Sequence, residues 1–283
     1  MATSPDCLIL RYSGSELTDE QSFHNHLVGK ISEARATRRD VIYAELVYDN
    51  IAPSWMANVG DALERAKAGV CKSYNPFTLI LRVVAMPSFL HNVDQVWCHE
   101  MKIEWLLSGQ LTRNESRMLH VTANSDYEFP DGPLVRIQKS PNVAYNVPNA
   151  IMPRIVVESG WSESLDEIRE NAREWLVGGN GAVQAAIIIK WTPSRTTRRV
   201  RGLVELYALD RSGMPRLQQR EKEIFPVPPG IQPGSQAITV TRRMLFGQLI
   251  RPGASPGDIL PLDIDMLRDV ARIEMAKMGY SPA

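Results

Sequence analysis

The chain has 283 residues, and its 32 lysines and arginines balance its 32 aspartates and glutamates, so the formal net charge is zero. A hydrophobic content of 44% with 23% charged residues is typical of a soluble globular protein. The three cysteines, Cys7, Cys71 and Cys98, are odd in number and widely spaced, which argues against a disulfide framework or a zinc site. No stretch has the pattern of a signal peptide or approaches the roughly eighteen apolar residues of a spanning helix, so we expect a cytoplasmic protein with no membrane partner.

The first 120 residues are predicted to form the N-terminal α/β half of a single domain that covers residues 1–283. Thr18 caps the first helix, and Asp19 and Glu20 favour its start through the helix dipole. Apolar periodicity predicts the elements in this order: strand 7–12, helix 18–38, strand 41–48, helix 57–68, strand 77–85 and helix 91–107.

Residues 121–210 are predicted to form the core of the fold. A turn around Asp131 leads into a strand over residues 134–137 and places Asp131 at a strand edge. The β-branched run at 155–157 predicts a buried strand that ends in Glu158. A carboxylate is therefore expected at the end of a core strand.

A helix and a second strand follow this carboxylate. Ser164 and Glu167 have the spacing of a capping box, which predicts the start of an amphipathic helix. The apolar run 182–189 predicts a central strand with Lys190 at its end. A strand, helix, strand connection of this length predicts a parallel pair of strands, and a further strand is predicted at 200–209.

Residues 211–283 are predicted to form a proline-rich belt followed by a C-terminal helix. Prolines recur through the first part of this segment, which favours irregular structure. Apolar periodicity then predicts a helix over 264–278. Its inward side chains are predicted to be Leu267, Val270, Ile273 and Ala276.

The order of the core elements resembles the PD-(D/E)XK nuclease-like superfamily. The phrase around Pro153, which runs into Glu158, is similar to fungal members of that superfamily. The resemblance implies an α/β fold in which helices flank a mixed sheet, with N-terminal and C-terminal elaborations added to it.

The same resemblance implies a site at the strand ends. It assigns Asp131 and Glu158 as carboxylates that hold a divalent cation such as Mg²⁺, with a lysine two residues after the second carboxylate to activate water. Gly160 occupies that lysine position in this chain. The nearest cationic substitutes are Arg169, Arg173 and Lys190.

A second resemblance concerns the start of the helix. The run Asp166-Glu167-Ile168-Arg169-Glu170 is similar to the acidic Asp-Asp-x-x-Glu motif of fungal arginine-containing cyclodipeptide synthases. It implies a transferase of secondary metabolite biosynthesis, which condenses arginine from arginyl-tRNA with the amino acid of a second aminoacyl-tRNA. Such chemistry consumes ester bonds that are already activated, so it implies no metal or other cofactor.

Five carboxylates are the candidate catalytic residues: Asp131, Glu158, Asp166, Glu167 and Glu170. Glu158 follows an apolar run, where an unpaired carboxylate is costly, so either a site or an ion pair must accommodate it. On helix geometry Glu170 points almost directly away from the core. The structural alternatives are a helix cap for Glu167, a turn residue for Asp131 and a solvated helix face for Asp166 and Glu170.

Arg173, Lys190 and Ser162 are the candidate substrate-binding residues. Lys190 can contact a phosphate or a substrate carboxylate, although a lysine at a strand end is commonly solvated. A serine nucleophile is a further possibility, but no histidine lies near Ser159, Ser162 or Ser164 in the sequence to activate one.

Arg195, Arg198, Arg199 and Arg201 are the candidate nucleic-acid-binding residues, in a C-terminal third that concentrates cations. The alternative for them is a salt-bridged surface. The leading function is a tRNA-dependent cyclodipeptide synthase. A Mg²⁺-dependent nuclease and a catalytically inactive nucleic-acid-binding module are the alternatives, and the oligomeric state stays open.

Overall fold

The computed structural model describes residues 7–37, 43–65, 70–84, 89–161 and 163–283. Helices and mixed sheets combine in these residues, which confirms the general α/β class. The helices are α1 (Glu20–Thr37), α2 (Val59–Arg65), α3 (Phe89–Leu107), α4 (Arg113–Met118), α5 (Leu165–Gly178), α6 (Arg242–Phe246) and α7 (Ile264–Lys277). The strands are β1 (Cys7–Ser13), β2 (Tyr43–Asp49), β3 (Cys71–Asn75), β4 (Ile80–Val84), β5 (His120–Ala123), β6 (Tyr127–Glu128), β7 (Gln138–Lys139), β8 (Val143–Asn146), β9 (Ile155–Gly160), β10 (Ala185–Ser194), β11 (Arg199–Leu209), β12 (Pro215–Leu217), β13 (Lys222–Phe225), β14 (Ala237–Thr241), β15 (Ile259–Asp263) and β16 (Ser281–Pro282).

The chain divides into two compact units. The first comprises the described residues before Phe89 together with Asp126–Pro130 and Val135–Ser140, and the second comprises Phe89–Ser125, Asp131–Leu134 and Pro141–Ala283. A single domain over residues 1–283, with internal boundaries near 120 and 210, stays a prediction.

The first unit is built on a six-stranded sheet in the order β1-β2-β4-β3-β7-β6. β1 and β2 are parallel, and the other neighbouring strands are antiparallel. Phe23 and Leu27 of α1 belong to the same buried cluster as Leu46 and Tyr48 of β2. The apolar face of α1 thus packs on this sheet and forms the core of the unit.

One predicted strand of this unit is shorter than expected, and two of its strands, β3 and β6, were missed. β4 begins at Ile80, and Phe77 lies exposed in the turn before it. Leu79 has a φ of 57°, which ends the extended chain before Ile80. The predicted residues 38, 41–42, 66–68 and 85 lie outside the described ones.

The strand predicted at 134–137 is wrong. These residues form a turn, and pairing begins only at Gln138 in β7. Arg136 has a φ of 67°, in the left-handed region, which an extended strand cannot include. β7 also pairs with β3 and β6 in the first unit, so it is not the neighbour of the strand that carries Glu158.

The second unit is built on an eight-stranded sheet. Six strands follow the order β12-β11-β10-β9-β8-β5, and β13 and β16 also pair with β11. β8 pairs with β5 on one side and with β9 on the other, and both pairings are antiparallel. β9 and β10 are parallel and α5 connects them, which confirms the predicted crossover. The side chains of α5 that pack on the sheet are Ile168, Ala172, Trp175 and Leu176.

α3 covers the opposite face of this sheet. Tyr145 of β8 donates its hydroxyl hydrogen to the carbonyl oxygen of Cys98 in α3, at 3.0 Å. Trp97 and Trp105 of α3 donate their indole N–H groups to the carbonyl oxygens of Asp263 and Pro261, at 2.7 and 2.6 Å. These bonds attach α3 to β15, which forms an antiparallel ladder with β14.

β10 is longer than predicted. It begins at Ala185 and continues to Ser194, because its ladder with β11 extends to the pair Ser194 and Arg199. Lys190 therefore lies in the middle of this strand, and its expected place at the strand end is wrong.

The inward face of α7 also differs from the prediction. Ile273 and Ala276 are exposed. A spacing of three residues falls short of the 3.6-residue turn, so a stripe chosen at that spacing drifts around the helix. The apolar side chains that α7 buries are Ile264, Leu267, Ala271 and Met275.

Candidate functional site

Glu158, Gly160 and Lys190 lie on one face of the second sheet. In the parallel ladder Glu158 pairs with Ile188, and Gly160 pairs with Lys190. Directly paired residues of neighbouring strands point to the same face, and so do alternate residues of one strand. The strand that carries Glu158 and the strand that carries Lys190 are thus neighbours, with both side chains on the face that α5 covers.

Glu158 is held by a tryptophan of α5. Only 9% of the residue is exposed, and its Oε1 accepts a hydrogen bond from Nε1 of Trp175 at 2.5 Å. Trp175 is fully buried because it belongs to the apolar stripe of the helix. Since a buried polar group without a partner is costly, the indole donor stabilises the Glu158 side chain at the helix–sheet boundary.

Gly160 is required by the close approach of α5. A β-carbon at this position would lie 2.3 Å from Cδ1 of Ile168 and 2.7 Å from Oε2 of Glu163. Side chains do not approach that closely in folded proteins, so a larger residue requires the side chains of Ile168 and Glu163 to shift. The lysine that the nuclease resemblance expects at this position is absent, and Lys190 lies beside Gly160 on the next strand.

Lys190 is a half-buried amine with a lowered pKa. Its Nζ donates a hydrogen bond to the carbonyl oxygen of Trp161 at 2.9 Å. Burial lowers the pKa of Lys190 to about 8, and the carboxylates of Glu163 and Glu167 oppose part of that shift. A lysine with this pKa exists in both the neutral and the charged form near neutral pH. It can therefore accept a proton or bind an anion.

Asp166 and Glu170 lie on the outer face of α5. The Asp166 side chain is 93% exposed and lies 3.5 Å from Arg169, while Glu170 is 63% exposed and lies 3.3 Å from Arg173. Both are ion pairs between residues three apart on one helix, which stabilise a helix by a few tenths of a kcal/mol, about 0.2–0.5. The buried face of α5 contacts Glu158, so these two acidic side chains are not brought together with it.

Glu167 both caps the helix and lies near Lys190. Its Oε2 accepts the backbone N–H of Ser164 at 2.7 Å, and the Ser164 hydroxyl oxygen accepts the backbone N–H of Glu167 at 3.2 Å. This confirms the predicted capping box. The charge of Glu167 also raises the pKa of Lys190, so the first turn of α5 faces the strand lysine.

Asp131 has surroundings that differ from those of Glu158. It is exposed, and its Oδ1 accepts a hydrogen bond from Nδ2 of Asn180 at 3.2 Å. Asn180 lies in the turn between α5 and β10, at the amino end of that strand, whereas Lys190 lies further along it. Ser162, the remaining candidate, lies outside the described residues.

The sequence analysis missed Asp94 in α3. It is fully buried, and neither carboxylate oxygen has a hydrogen-bond partner of normal geometry among the described residues. Burial raises the pKa of Asp94 well above its ordinary value, the hydroxyl of Ser159 opposes this shift and Glu158 adds to it. Asp94 lies three and four residues before the buried Trp97 and Cys98, and this spacing was the available signal.

Glu205, the partner of Arg169, was also not predicted from the sequence. Glu205 of β11 is fully buried, and its carboxylate accepts hydrogen bonds from Nε of Arg169 at 3.0 Å and from Nη2 at 2.5 Å. The hydroxyl of Tyr207 donates to the same carboxylate at 3.0 Å. The Arg169 side chain thus links α5 to β11 through Glu205. Because its guanidinium group is already paired, Arg169 is a poor substitute for the lysine that the nuclease resemblance expects at position 160.

The four candidate arginines lie on the hairpin between β10 and β11, and all four are exposed. Arg198 stacks on the ring of Tyr280, with its guanidinium carbon 4.2 Å from the ring centre. Arg201 pairs with Thr192 and Arg199 pairs with Ser194. Arg199 and Arg201 therefore share the sheet face of Lys190, which pairs with Leu203. We call Lys190, Arg201 and Arg199 the cationic stripe.

Within the described parts of the chain, no group of three or more histidine, cysteine, aspartate or glutamate residues could hold a metal ion. Of the helices in those same ranges, none is long and apolar enough to cross a membrane. Comparisons with protein-family models, curated proteins and solved structures gave no match.

Proposed function

We propose that the chain is a tRNA-dependent cyclodipeptide synthase, a cytoplasmic transferase that condenses arginine from arginyl-tRNA with a second aminoacyl group. The cationic stripe carries this proposal. It begins with a titratable amine at Lys190 and continues on the same face to Arg201 and Arg199. A polynucleotide with a reactive ester at its end needs both phosphate contacts and a group that handles protons, and the stripe offers them side by side.

The chemistry assigns a proton-transfer role to Lys190. In its neutral form it takes a proton from the α-ammonium group of one aminoacyl ester. The resulting amine attacks the carbonyl carbon of the other ester, a C–N bond forms, the ester C–O bond breaks, and the released ribose oxygen takes up a proton. A second attack of the same kind within the dipeptidyl ester closes the ring and releases the second tRNA.

The carboxylates around Lys190 are assigned to the arginyl side chain. Glu163 and Glu167 are near enough to Lys190 to influence its pKa. A guanidinium group binds carboxylates through paired N–H donors. Glu163 and Glu167 are therefore expected to bind the side chain of an arginyl substrate more tightly than that of a lysyl substrate. Asp166 and Glu170 on the outer face extend the acidic surface along which the arginyl group approaches.

Replacement of Lys190 tests the assignment. Wild-type protein and Lys190→Met are incubated with arginyl-tRNA and a second aminoacyl-tRNA, and cyclic dipeptides are measured by mass spectrometry. We expect Lys190→Met to lower the rate by roughly 100-fold, within the usual contribution of a general base. Lys277→Met, which removes an exposed lysine of α7, is the matched control and should keep the wild-type rate. Equal rates for the two variants would refute the role of Lys190.

One observation favours a second candidate, a divalent-metal nuclease of the PD-(D/E)XK type. Lys190 lies beside Gly160 on the face of Glu158, next to the position where that resemblance expects its lysine. Asp131 is exposed and held by Asn180, however, so Asp131 and Glu158 do not fit a shared Mg²⁺ site. We therefore rank the nuclease second. Its signature is Mg²⁺-dependent cleavage of tRNA or DNA that Glu158→Gln abolishes.

We extend the proposal to the fold of the second unit, as a PD-(D/E)XK-like core. The resemblance expects a strand, a strand that carries Glu158, a helix and a strand that carries Lys190. β8, β9, α5 and β10 support this order. The first of these strands is β8 and not the segment that follows Asp131. A nucleic-acid-binding module without catalysis remains the outcome if neither condensation nor cleavage is measured.

A further inference from the structure

The carbonyl oxygen of Trp161 holds the amine of Lys190. Trp161 directly follows β9, one residue beyond the last pair of the parallel ladder, which joins Gly160 to Lys190. Its carbonyl oxygen accepts a hydrogen bond from Nζ of Lys190 at 2.9 Å. A lysine has a long, flexible stem, so a fixed acceptor is needed to keep its amine in one place. In the neutral amine this bond uses an N–H group and leaves the lone pair free to take a proton.

The indole ring of Trp161 is oriented by packing and not by a hydrogen bond. Only 5% of the residue is exposed. Its indole N–H is buried and has no hydrogen-bond partner among the described residues. The ring of Tyr280 packs against it edge to face, with the ring centres 5.4 Å apart and an angle of 85° between the planes. This is a favourable arrangement of two aromatic rings, so Tyr280 is the group that we expect to orient Trp161.

Tyr280 is in turn fixed by the hairpin between β10 and β11. It belongs to residues 279–283, which we call the tail segment. The guanidinium carbon of Arg198 lies 4.2 Å from the centre of the Tyr280 ring, and Nη1 of Arg198 donates to the Tyr280 hydroxyl oxygen at 3.2 Å. The backbone N–H of Ser281 donates to the carbonyl oxygen of Arg198 at 2.9 Å, and β16 continues beside β11 as a parallel strand.

The backbone of Arg198 supports the importance of this attachment. Arg198 has a φ of 53°, in the left-handed region that residues other than glycine rarely adopt. Its side chain and its carbonyl oxygen both bind the tail segment. The hairpin that carries Arg199 and Arg201 of the cationic stripe therefore also holds Tyr280 in place.

We propose that Tyr280 is a positioning residue for Lys190: its ring orients Trp161, whose carbonyl oxygen holds the amine in place for proton transfer. This inference rests on the proposed function for its catalytic consequence and deepens it, because it adds the tail segment to the proposed active site. Tyr280 and Lys190 are far apart along the chain and are connected only in the fold. The hydroxyl group of Tyr280 is bound by Arg198, so the ring and not the hydroxyl group carries the effect.

The pH dependence of amine labelling at Lys190 tests the positioning without tRNA. The full chain is treated with a trace of acetic anhydride at a series of pH values, and labelling of Lys190 is followed by peptide mass spectrometry. We expect Tyr280→Ala to raise the midpoint by about 1 pH unit or more, because an amine released from Trp161 reaches water, which favours its charged form. Tyr280→Phe keeps the ring and should restore the wild-type midpoint.

Two further variants separate positioning from a loss of stability. Leu260→Ala removes a fully buried side chain in the ladder of β14 and β15, so it should destabilise the protein and leave the midpoint unchanged. Tyr280→Leu keeps apolar bulk without an aromatic ring, and should raise the midpoint even where Tyr280→Ala does not fold. Circular dichroism identifies the folded variants. A wild-type midpoint in folded Tyr280→Ala or Tyr280→Leu overturns the proposal.

Cyclic dipeptide formation separates this inference from the proposed function. Tyr280→Ala should lower kcat about tenfold with little change in KM, since a displaced base affects the chemical step more than binding, and Tyr280→Phe should recover most of the loss. If wild type forms the product and Tyr280→Ala changes neither kcat nor the midpoint, the positioning role is refuted while the synthase stands. If the midpoint moves as expected but wild type forms no product, the synthase is refuted while the positioning of Lys190 stands.

Discussion

Replacement of Gly160 by alanine is expected to lower the free energy of unfolding by about 1–2 kcal/mol. At an open strand position the added methyl group would stabilise the protein by about 0.5–1 kcal/mol, because alanine loses less backbone freedom on folding than glycine. At Gly160 the new carbon would lie 2.3 Å from Cδ1 of Ile168 and 2.9 Å from its Cγ1. Overpacking of this kind costs about 1–3 kcal/mol, which exceeds the gain.

A double-mutant cycle identifies the clash as the cause. Ile168→Val removes Cδ1, the nearest atom, and costs about 1 kcal/mol by itself because Ile168 is buried. In Gly160→Ala with Ile168→Val the closest contact of the added methyl group is removed, so the combined loss should fall short of the sum of the single losses by about 1 kcal/mol.

Urea denaturation, followed by fluorescence, measures these differences through the transition midpoint at an unchanged m value. Gly257→Ala is the control in the same unit, because its new carbon would meet only Oγ of Ser255, at 3.7 Å, and its effect should stay within about 0.5 kcal/mol. Strict additivity of Gly160→Ala and Ile168→Val would refute the close packing of α5 on β9.

Three further predictions concern the groups around this packing. Lys190 should react with an amine-specific label at a rate that is half-maximal near pH 8, against about 10.4 in the unfolded chain. Because the folded protein releases this proton first, the free energy of unfolding should rise between those pH values, and a midpoint that stays above pH 10 would contradict the burial of the amine. Arg169→Met should cost about 3 kcal/mol in urea denaturation, since it leaves the fully buried Glu205 without its cation, and the further change Glu205→Gln should recover much of the loss. The double variant Arg199→Gln with Arg201→Gln should weaken tRNA binding in fluorescence anisotropy and reduce the slope of log affinity against log salt by about 1–2, whereas an unchanged slope would remove these residues from the interface.

The sequence identifies the local elements around the site well. The β-branched run before Glu158, the capping box at Ser164 and the apolar run before Lys190 each depend on neighbouring residues, so their patterns predict β9, α5 and β10. The parallel pairing of the two strands follows from the length of the connection and is confirmed. The sequence alone therefore places Glu158 and Lys190 on adjacent strands.

The parts that could not be predicted depend on distant residues. β10 ends where its ladder with β11 ends, at the pair that includes Arg199. Residues 134–137 do not form the predicted strand because Arg136 has a left-handed backbone conformation. Asp94 comes near Ser159 only because α3 packs on the back of β9, and periodicity within α3 does not reveal which strand it covers. The apolar periodicity of α3 indicates that the Asp94 carboxylate is buried, but it does not identify the residue that Asp94 meets.

Mass spectrometry of the small products made from a mixed pool of charged tRNA tests the synthase most directly. The purified chain is incubated with this pool with and without prior RNase treatment, and the tRNA is examined for cleavage in the same samples. We predict an arginine-containing cyclic dipeptide that disappears after RNase treatment, with the tRNA left intact. Absence of that product, together with Mg²⁺-dependent cleavage of the tRNA, would contradict the synthase function. Glu158 and Lys190 would then be assigned to the active site of a nuclease.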